Sequence, residues 1–240
     1  MRKIGIIGAM EVEQQSIVAA MTGAGGIGKA RKIESAKLDF YEGELNGVSV
    51  VTVRSGVGKV NAALCAQRLI LEFGVTHIIN TGIAGAMAHG LRVFDVVVST
   101  EALYHDMDAT GFGYKPCQIP QMDVYKFPAD VQLINAAEKA FNDAGLAAKY
   151  KLVKGRIASG DQFISSKPVK NHIREICDPA CVEMEGAAIA HACWINGVPF
   201  VIIRSMSDMA DDGEEAISSF NEKTSADESA SIVLQMFKEM

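Results

Sequence analysis

Lys3-Ile-Gly-Ile-Ile-Gly-Ala-Met-Glu-Val-Glu-Gln-Gln-Ser-Ile-Val-Ala-Ala-Met21 begins as an apolar run ending in glycine and continues as a segment with helical spacing through Ile17, Val18 and Met21. It reads as a strand over 3–8, a turn, and a helix over 11–21. The rest of the chain keeps this alternation. Strands are expected over 40–45 and 48–53, joined by Asn46-Gly47, the dipeptide favoured in a type I′ hairpin turn. A helix over 59–73 follows, then buried strands over 77–80 and 95–100, the first running into a glycine-rich turn, Thr81-Gly-Ile-Ala-Gly85. The second half reads as helix 130–144, strand 151–159, helix 167–176, strand 180–183, helix 186–196, strand 200–204 and a final amphipathic helix over 214–238. The pattern predicts one α/β domain over residues 1–240, of three αβα layers with a central mixed β-sheet.

Residues 102–128 break the alternation. They carry Gly111, Gly113, Pro116, Pro120 and Pro128, so a long loop is expected, and long loops within compact domains tend to be functional.

Composition narrows the function classes. Hydrophobic residues make up 49% of the 240, enough for one sizeable core, and the net charge is -6. With no basic run or aromatic-interleaved basic patch, nucleic acid is not an expected partner. The apolar start of the chain is cut short by Glu11 and Glu13 before it could serve as a signal segment, and no stretch has the length to span a bilayer. The five cysteines, at 65, 117, 177, 181 and 193, are odd in number and lack a disulfide framework, which fits buried thiols in a reducing cytoplasm.

Several motifs fail on context. The glycines of 23–28 satisfy GxGxxG but follow a helix and do not open one after a strand. Ser55-Gly-Val-Gly-Lys59 lacks the P-loop spacing and the Ser or Thr that would hold magnesium. The spacing of Cys177, Cys181, His191 and Cys193 matches no common zinc site, and His105 with Asp106 and Asp108 reads as a loop hydrogen-bond network.

The chemistry is carried by acids placed where a core would want apolar residues. In Ala-Cys-Val-Glu183-Met-Glu185-Gly-Ala-Ala188, two carboxylates interrupt a buried strand and need a ligand or a counter-charge. The apolar strand 199–203 stops at Arg204, Ser205, Ser207 and Asp208, and open α/β sheets bind ligands at such carboxyl ends. Three further segments have the same character: Gly8-Ala-Met10-Glu-Val-Glu13, Asn80-Thr-Gly-Ile83-Ala-Gly85 and Ser159-Gly-Asp-Gln-Phe163-Ile164. Singly, each could be a cap or a turn. Together they offer carboxylates, glycine-rich backbone donors and an aromatic face, which suits a polar ring system attached to a sugar.

From Ile4 to the final helix, the motifs GIIGAMExE, SGVGKVNAA, INTGxAG, YHDxD, ASGDQFI, VEMEGAAIAH and RSxSDxAD closely resemble those of the 5′-methylthioadenosine/S-adenosylhomocysteine nucleosidases of the nucleoside phosphorylase superfamily. The resemblance implies a homodimer that hydrolyses the N-glycosidic bond of 5′-thio-substituted adenosines to adenine and a ribose derivative, with no cofactor and no metal. It assigns Asp208 as general acid toward adenine N7 and Glu13 as general base toward water. Glu185 becomes acceptor for the ribose 2′- and 3′-hydroxyls, and Arg204 helps to hold the water and the carboxylates. It stacks Phe163 on adenine, lets the backbone of Ile164 read the base edge, sets Ser207 to steady Asp208, packs Met184 beneath the sugar, and makes Gly85 a point of close backbone approach. Met10 would line the 5′-alkylthio pocket with Phe112 and Tyr114 of a partner's 102–128 loop. One position departs: Ile83 stands where many relatives have serine, near the ribose and the water.

Two rivals remain at this level. A purine nucleoside phosphorylase would need cations around a phosphate, where the first loop instead offers Glu13. A nucleoside-binding protein without activity could lose Asp208 or Glu13, and this chain keeps both.

Overall fold

The structure, a computed structural model, describes residues 2–23, 30–210 and 221–238. Gly25, Gly26 and Gly28, Asp211 and the first part of the expected last helix lie outside the described residues. Strands β1 (Lys3–Gly8), β2 (Arg31–Ser35), β3 (Leu38–Leu45), β4 (Val48–Arg54), β5 (His77–Ala86), β6 (Val96–Tyr104), β7 (Phe127–Pro128), β8 (Leu152–Ser159), β9 (Cys181–Glu183) and β10 (Phe200–Asp208) form one mixed sheet. Helices α1 (Glu11–Thr22), α2 (Lys59–Phe73), α3 (Val131–Asp143), α4 (Lys167–Cys177), α5 (Gly186–Asn196) and α6 (Glu222–Met236) cover it. α1, α3 and α6 pack together on one side, and α2 packs against α5 on the other. This is the expected three-layer arrangement.

The sheet has two parts. β1 lies parallel between β4 and β5, and β4, β3 and β2 continue as an antiparallel wing. Asn46 and Gly47 are both left-handed, as a type I′ turn requires. In the other part the strands close on themselves, because β10 pairs with both β5 and β6, and β5 reaches β6 again through β9 and β8.

That closure explains the main departures from the sequence reading. β5 does not stop at Asn80 but runs through the expected turn to Ala86, and β10 continues past Arg204 to Asp208. The polar residues in these extensions are buried and partnered. Asn80 donates to Ile7 O at 2.9 Å, Thr81 shares a hydrogen bond with Ser229 at 2.7 Å, and Ser225 donates to Met206 O at 3.1 Å. Serines on α6 thus satisfy groups that would otherwise terminate a strand. β2, a mostly exposed edge strand, had no apolar signal to reveal it. The expected loop is shorter at its start, since β6 runs to Tyr104, and it contains a turn of 3-10 helix at Thr110–Phe112 and the short β7.

Most apolar side chains form one core around the sheet. A smaller cluster under α4 joins Leu103, Cys117, Ala158, Ile164, Ile173, Cys177 and Val182. All five cysteines are buried and unbridged.

Candidate active site

The carboxyl ends of β1, β5 and β10 converge with β9 on a cleft of about 120 Å3. It is lined by Met10, Glu13, Ile83, Gly85, Phe163, Met184, Glu185, Ser207 and Asp208 among the expected residues, and also by Val57 and Glu183. Strands from distant parts of the sequence therefore bring the separate polar segments to one place.

Glu13 sits in the first turn of α1, 3% exposed. Its Oε2 accepts from the N–H of Ala9 at 2.7 Å and of Met10 at 3.0 Å, and its Oε1 accepts from the N–H of Ile83 at 3.0 Å. The bond to Met10 is the backward half of a capping box, reaching the residue that begins the helix. Burial pushes the Glu13 pKa up; Arg204 and the three backbone donors oppose the shift without cancelling it. Gly82 has to be glycine here, because a Cβ would lie 2.3 Å from both Glu13 Oε1 and Arg204 Nη1.

Arg204 is the counter-charge that the buried acids needed. It is 1% exposed, its Nη2 donates to Asn80 Oδ1 at 2.8 Å and bonds Glu183, and Glu185 lies 3.8 Å away. Burial works against its charge, but Glu183, Glu13 and Glu185 outweigh that and raise its pKa. Its Nε and Nη1 have no hydrogen-bond partner among the described residues. Glu183 also bonds Ser159 and accepts from the N–H of Glu185 at 3.1 Å and of Gly186 at 2.7 Å, which seats its carboxylate on the N-terminus of α5.

Glu185 accepts from the N–H of Gly58 at 2.8 Å. Burial, then repulsion from Glu183, pushes its pKa up to about 7. It is thus the acid of this group poised to titrate near neutrality. Asp208, 2% exposed, accepts from Ser207 Oγ at 2.8 Å and from the N–H of Ala210 at 2.8 Å. Ser207 Oγ also lies 3.3 Å from Ala84 O. The hydroxyl can donate to an ionised Asp208, or donate to Ala84 O and accept from a protonated one.

The remaining expected residues divide into three groups. Phe163 is 46% exposed at the mouth of the cleft, while Ile164 buries its side chain in the small cluster under α4 and is not among the residues that line the cleft. Gly85 does line the cleft, but a Cβ there would come within 2.9 Å of Asp208 Oδ1 and 2.8 Å of Ala210 Cβ, so its smallness makes room for the acid as well as for a ligand. Phe112, 87% exposed, and Tyr114 are not among the residues that line their own chain's cleft.

Three contributors had no assigned role in the sequence reading: Glu183, Asn80 and Gly58. Glu183 was visible as a buried acid, but its partner Arg204 comes from another strand. Gly58 lay in a discarded motif, although Gly58 and Lys59 do bind acids, the N–H of Lys59 donating to Asp161 at 2.8 Å and its Nζ to Asp106 at 2.6 Å. These bonds bear out the network reading for Asp106, whereas His105 Nε2 is buried with no hydrogen-bond partner among the described residues.

Residues 3–238 match the family model described as the phosphorylase superfamily. The chain is 44% identical over 237 residues to the 5′-methylthioadenosine/S-adenosylhomocysteine nucleosidase of Halalkalibacterium halodurans, covering 98% of this chain and 97% of that protein. Its fold is similar to that of the Neisseria meningitidis nucleosidase solved in complex with methylthio-immucillin-A, with a TM-score of 0.91, 40% identity and full coverage of both chains. It is also similar to the futalosine hydrolase of Helicobacter pylori, with a TM-score of 0.90 and 32% identity, covering 100% of this chain and 98% of that one.

Proposed function

The chain belongs to the phosphorylase superfamily and, within it, to the 5′-methylthioadenosine/S-adenosylhomocysteine nucleosidases, and from that premise we propose how its buried carboxylates divide the work. The reaction is hydrolysis of the N-glycosidic bond of 5′-substituted adenosines, releasing adenine and a ribose derivative.

Asp208 is the general acid. It protonates adenine N7 so that the base leaves neutral, and Ser207 supports both of its protonation states by redirecting one hydroxyl between Asp208 and Ala84 O. Glu13 is the general base. Its three backbone donors leave lone-pair capacity on Oε1 for a water, and its raised pKa makes it a stronger proton acceptor once ionised. Glu185, as the anion, accepts the 2′- and 3′-hydroxyls and stabilises positive charge growing at the anomeric carbon. Arg204, which does not itself line the cleft, keeps Glu183 and Glu185 placed from behind its wall. Phe163 stacks on the base, the main chain of Ile164 reads its edge, and Met184 underlies the sugar. Ile83 removes a hydroxyl contact on the sugar side; restoring it with Ile83→Ser is expected to change kcat/KM for methylthioadenosine, and an unchanged value would make the position irrelevant.

One observation carries hydrolysis over phosphorolysis. The cleft is walled by Glu13, Glu183, Glu185 and Asp208, and no Lys, Arg or His stands among its lining residues in the described structure. A phosphate would meet repulsion where a water meets bases. Incubation with methylthioadenosine, with and without added phosphate, is expected to release adenine and free methylthioribose at equal rates. A sugar 1-phosphate formed only with phosphate would instead make it a phosphorylase.

The assembly and setting follow the same reading. The protein acts as a homodimer, its 102–128 loop carrying Phe112 and Tyr114 to the partner's alkylthio pocket beside Met10. The exposed apolar residues Val60, Leu64 and Leu71 on α2 and Trp194 and Ile195 on α5 support such an interface. A monomer mass in sedimentation equilibrium would remove the shared pocket. The unbridged thiols suit a cytoplasmic place, and the products suit methionine salvage; among the described residues, no helix is long and apolar enough to cross a membrane.

A further inference from the structure

A wider, more polar hollow adjoins the cleft, and Ala9, Met10 and Val57 border both. The ridge between them is tied by main-chain bonds from Ser55 N–H to Gly8 O at 2.9 Å and from Gly56 N–H to Ala9 O at 3.1 Å. The same helix serves both sides, with Glu13 on the cleft and Glu11 on the hollow. The outer wall is charged, formed in part by Lys37, Asp39 and Arg54. Arg54 pairs with Glu11 at 3.1 Å, the two side chains 55% and 77% exposed, so the pair is weak and easily exchanged for another partner. Lys37 makes no ion pair among the described residues.

The backbone presenting Lys37 is unusual. Ala36 and Lys37 both adopt left-handed conformations, φ 49° and 64°, in the two-residue turn between β2 and β3. The neighbouring hairpin uses Asn46-Gly47 for that geometry, whereas this turn holds Ala36 and Lys37 in it, with Lys37 at the edge of the hollow.

We infer that this hollow is the subsite for the far end of long 5′ substituents, and that Lys37 and Arg54 select substrates whose 5′-thioether ends in an α-amino acid. The inference rests on the nucleosidase reading. A methylthio group ends in the cleft beside Met10 and Val57. A longer thioether continues over the ridge and carries a carboxylate and an ammonium into the hollow. The carboxylate meets Lys37 and Arg54, and Glu11, released from Arg54, faces the ammonium, while Asp39 stays paired with Lys32 at 2.9 Å.

The test compares kcat/KM for S-adenosylhomocysteine and methylthioadenosine in the wild type, Lys37→Ala, Arg54→Ala and the double variant. The double variant is expected to lose about tenfold on S-adenosylhomocysteine, through KM, and to stay within about twofold on methylthioadenosine. Added salt should weaken the first substrate and spare the second. Arg54→Lys, which keeps the charge, should retain most of the preference. Equal losses on both substrates, or an unchanged ratio, would overturn the subsite. A wild type that hydrolyses neither substrate would overturn the nucleosidase reading itself, and this inference with it.

Discussion

The inner wall of the cleft and its rim are built on opposite principles. On the wall, among the described residues, Glu13 is fixed by three backbone N–H groups, Glu183 by two and by Arg204, and Asp208 accepts from the Ala210 N–H and the Ser207 hydroxyl. On the rim, Phe163 and Val57 are nearly half exposed, and Arg54 holds only a surface ion pair. Groups that must meet a transition state are positioned by the main chain, which has no rotamers to lose. Groups that must accommodate different 5′ substituents are left adjustable. Preorganisation is therefore concentrated where charge develops.

This contrast can be broken at several depths. The largest effect is expected from Asp208→Asn, which keeps a hydrogen-bonding group but cannot supply the proton. Adenine release should fall by roughly 10²–10⁴-fold while titration calorimetry still detects ligand binding. Near-normal turnover would remove Asp208 from its role. Gly82→Ala comes next. Its Cβ would displace Glu13 Oε1 or Arg204 Nη1, so kcat should drop on the order of 10²-fold with the far-UV spectrum unchanged. Full activity would mean that the wall tolerates movement and that the contrast with the rim is false.

Phe163→Ala tests the rim. Loss of a stacking face costs about 1–3 kcal/mol, so KM should rise roughly tenfold or more with little change in Tm, since the ring is partly exposed. A large fall in stability would place Phe163 with the wall.

The smallest effect is on stability against pH. Glu185 has its pKa raised to about 7 by burial and by Glu183, and Glu13 is raised in the same sense. The native state then holds protons that the unfolded chain has released, so this contribution is fully present below the ordinary carboxyl range and is lost as pH rises through about 7. The Tm of the ligand-free protein should carry a decline between pH 5 and pH 8 that Glu185→Gln reduces. Identical profiles for the two proteins would remove Glu185 as its source.

The same contrast explains what could be read from sequence. The hairpin at Asn46-Gly47, the helices and most strands were legible, because apolar spacing and turn chemistry are local. The continuation of β5 and β10 through Thr81, Gly82, Arg204 and Ser205 was not. Those residues look like strand ends until Ser225 and Ser229 on α6 are seen to satisfy the neighbouring groups. β2 was missed for a related reason: its turn uses Ala36 and Lys37 in a geometry that ordinarily announces itself with Asn-Gly. For the site, the motifs located most wall residues, but the pairing of Glu183 with Arg204 joins two strands whose adjacency no local pattern encodes.

The ring in which β10 closes onto β5 and β6 also bears on how the molecule fluctuates. Within that ring Ile78–Asn80 of β5, between β1 and β10, and Ile203–Ser205 of β10, between β5 and β6, are laddered on both sides, so the amides of these stretches should be the last to exchange with solvent deuterium. Asp208 rides on one of these strands, and Glu13 is tethered to the other through Ile83. The acid and the base are therefore anchored, a few residues away, to the parts of the sheet that open last.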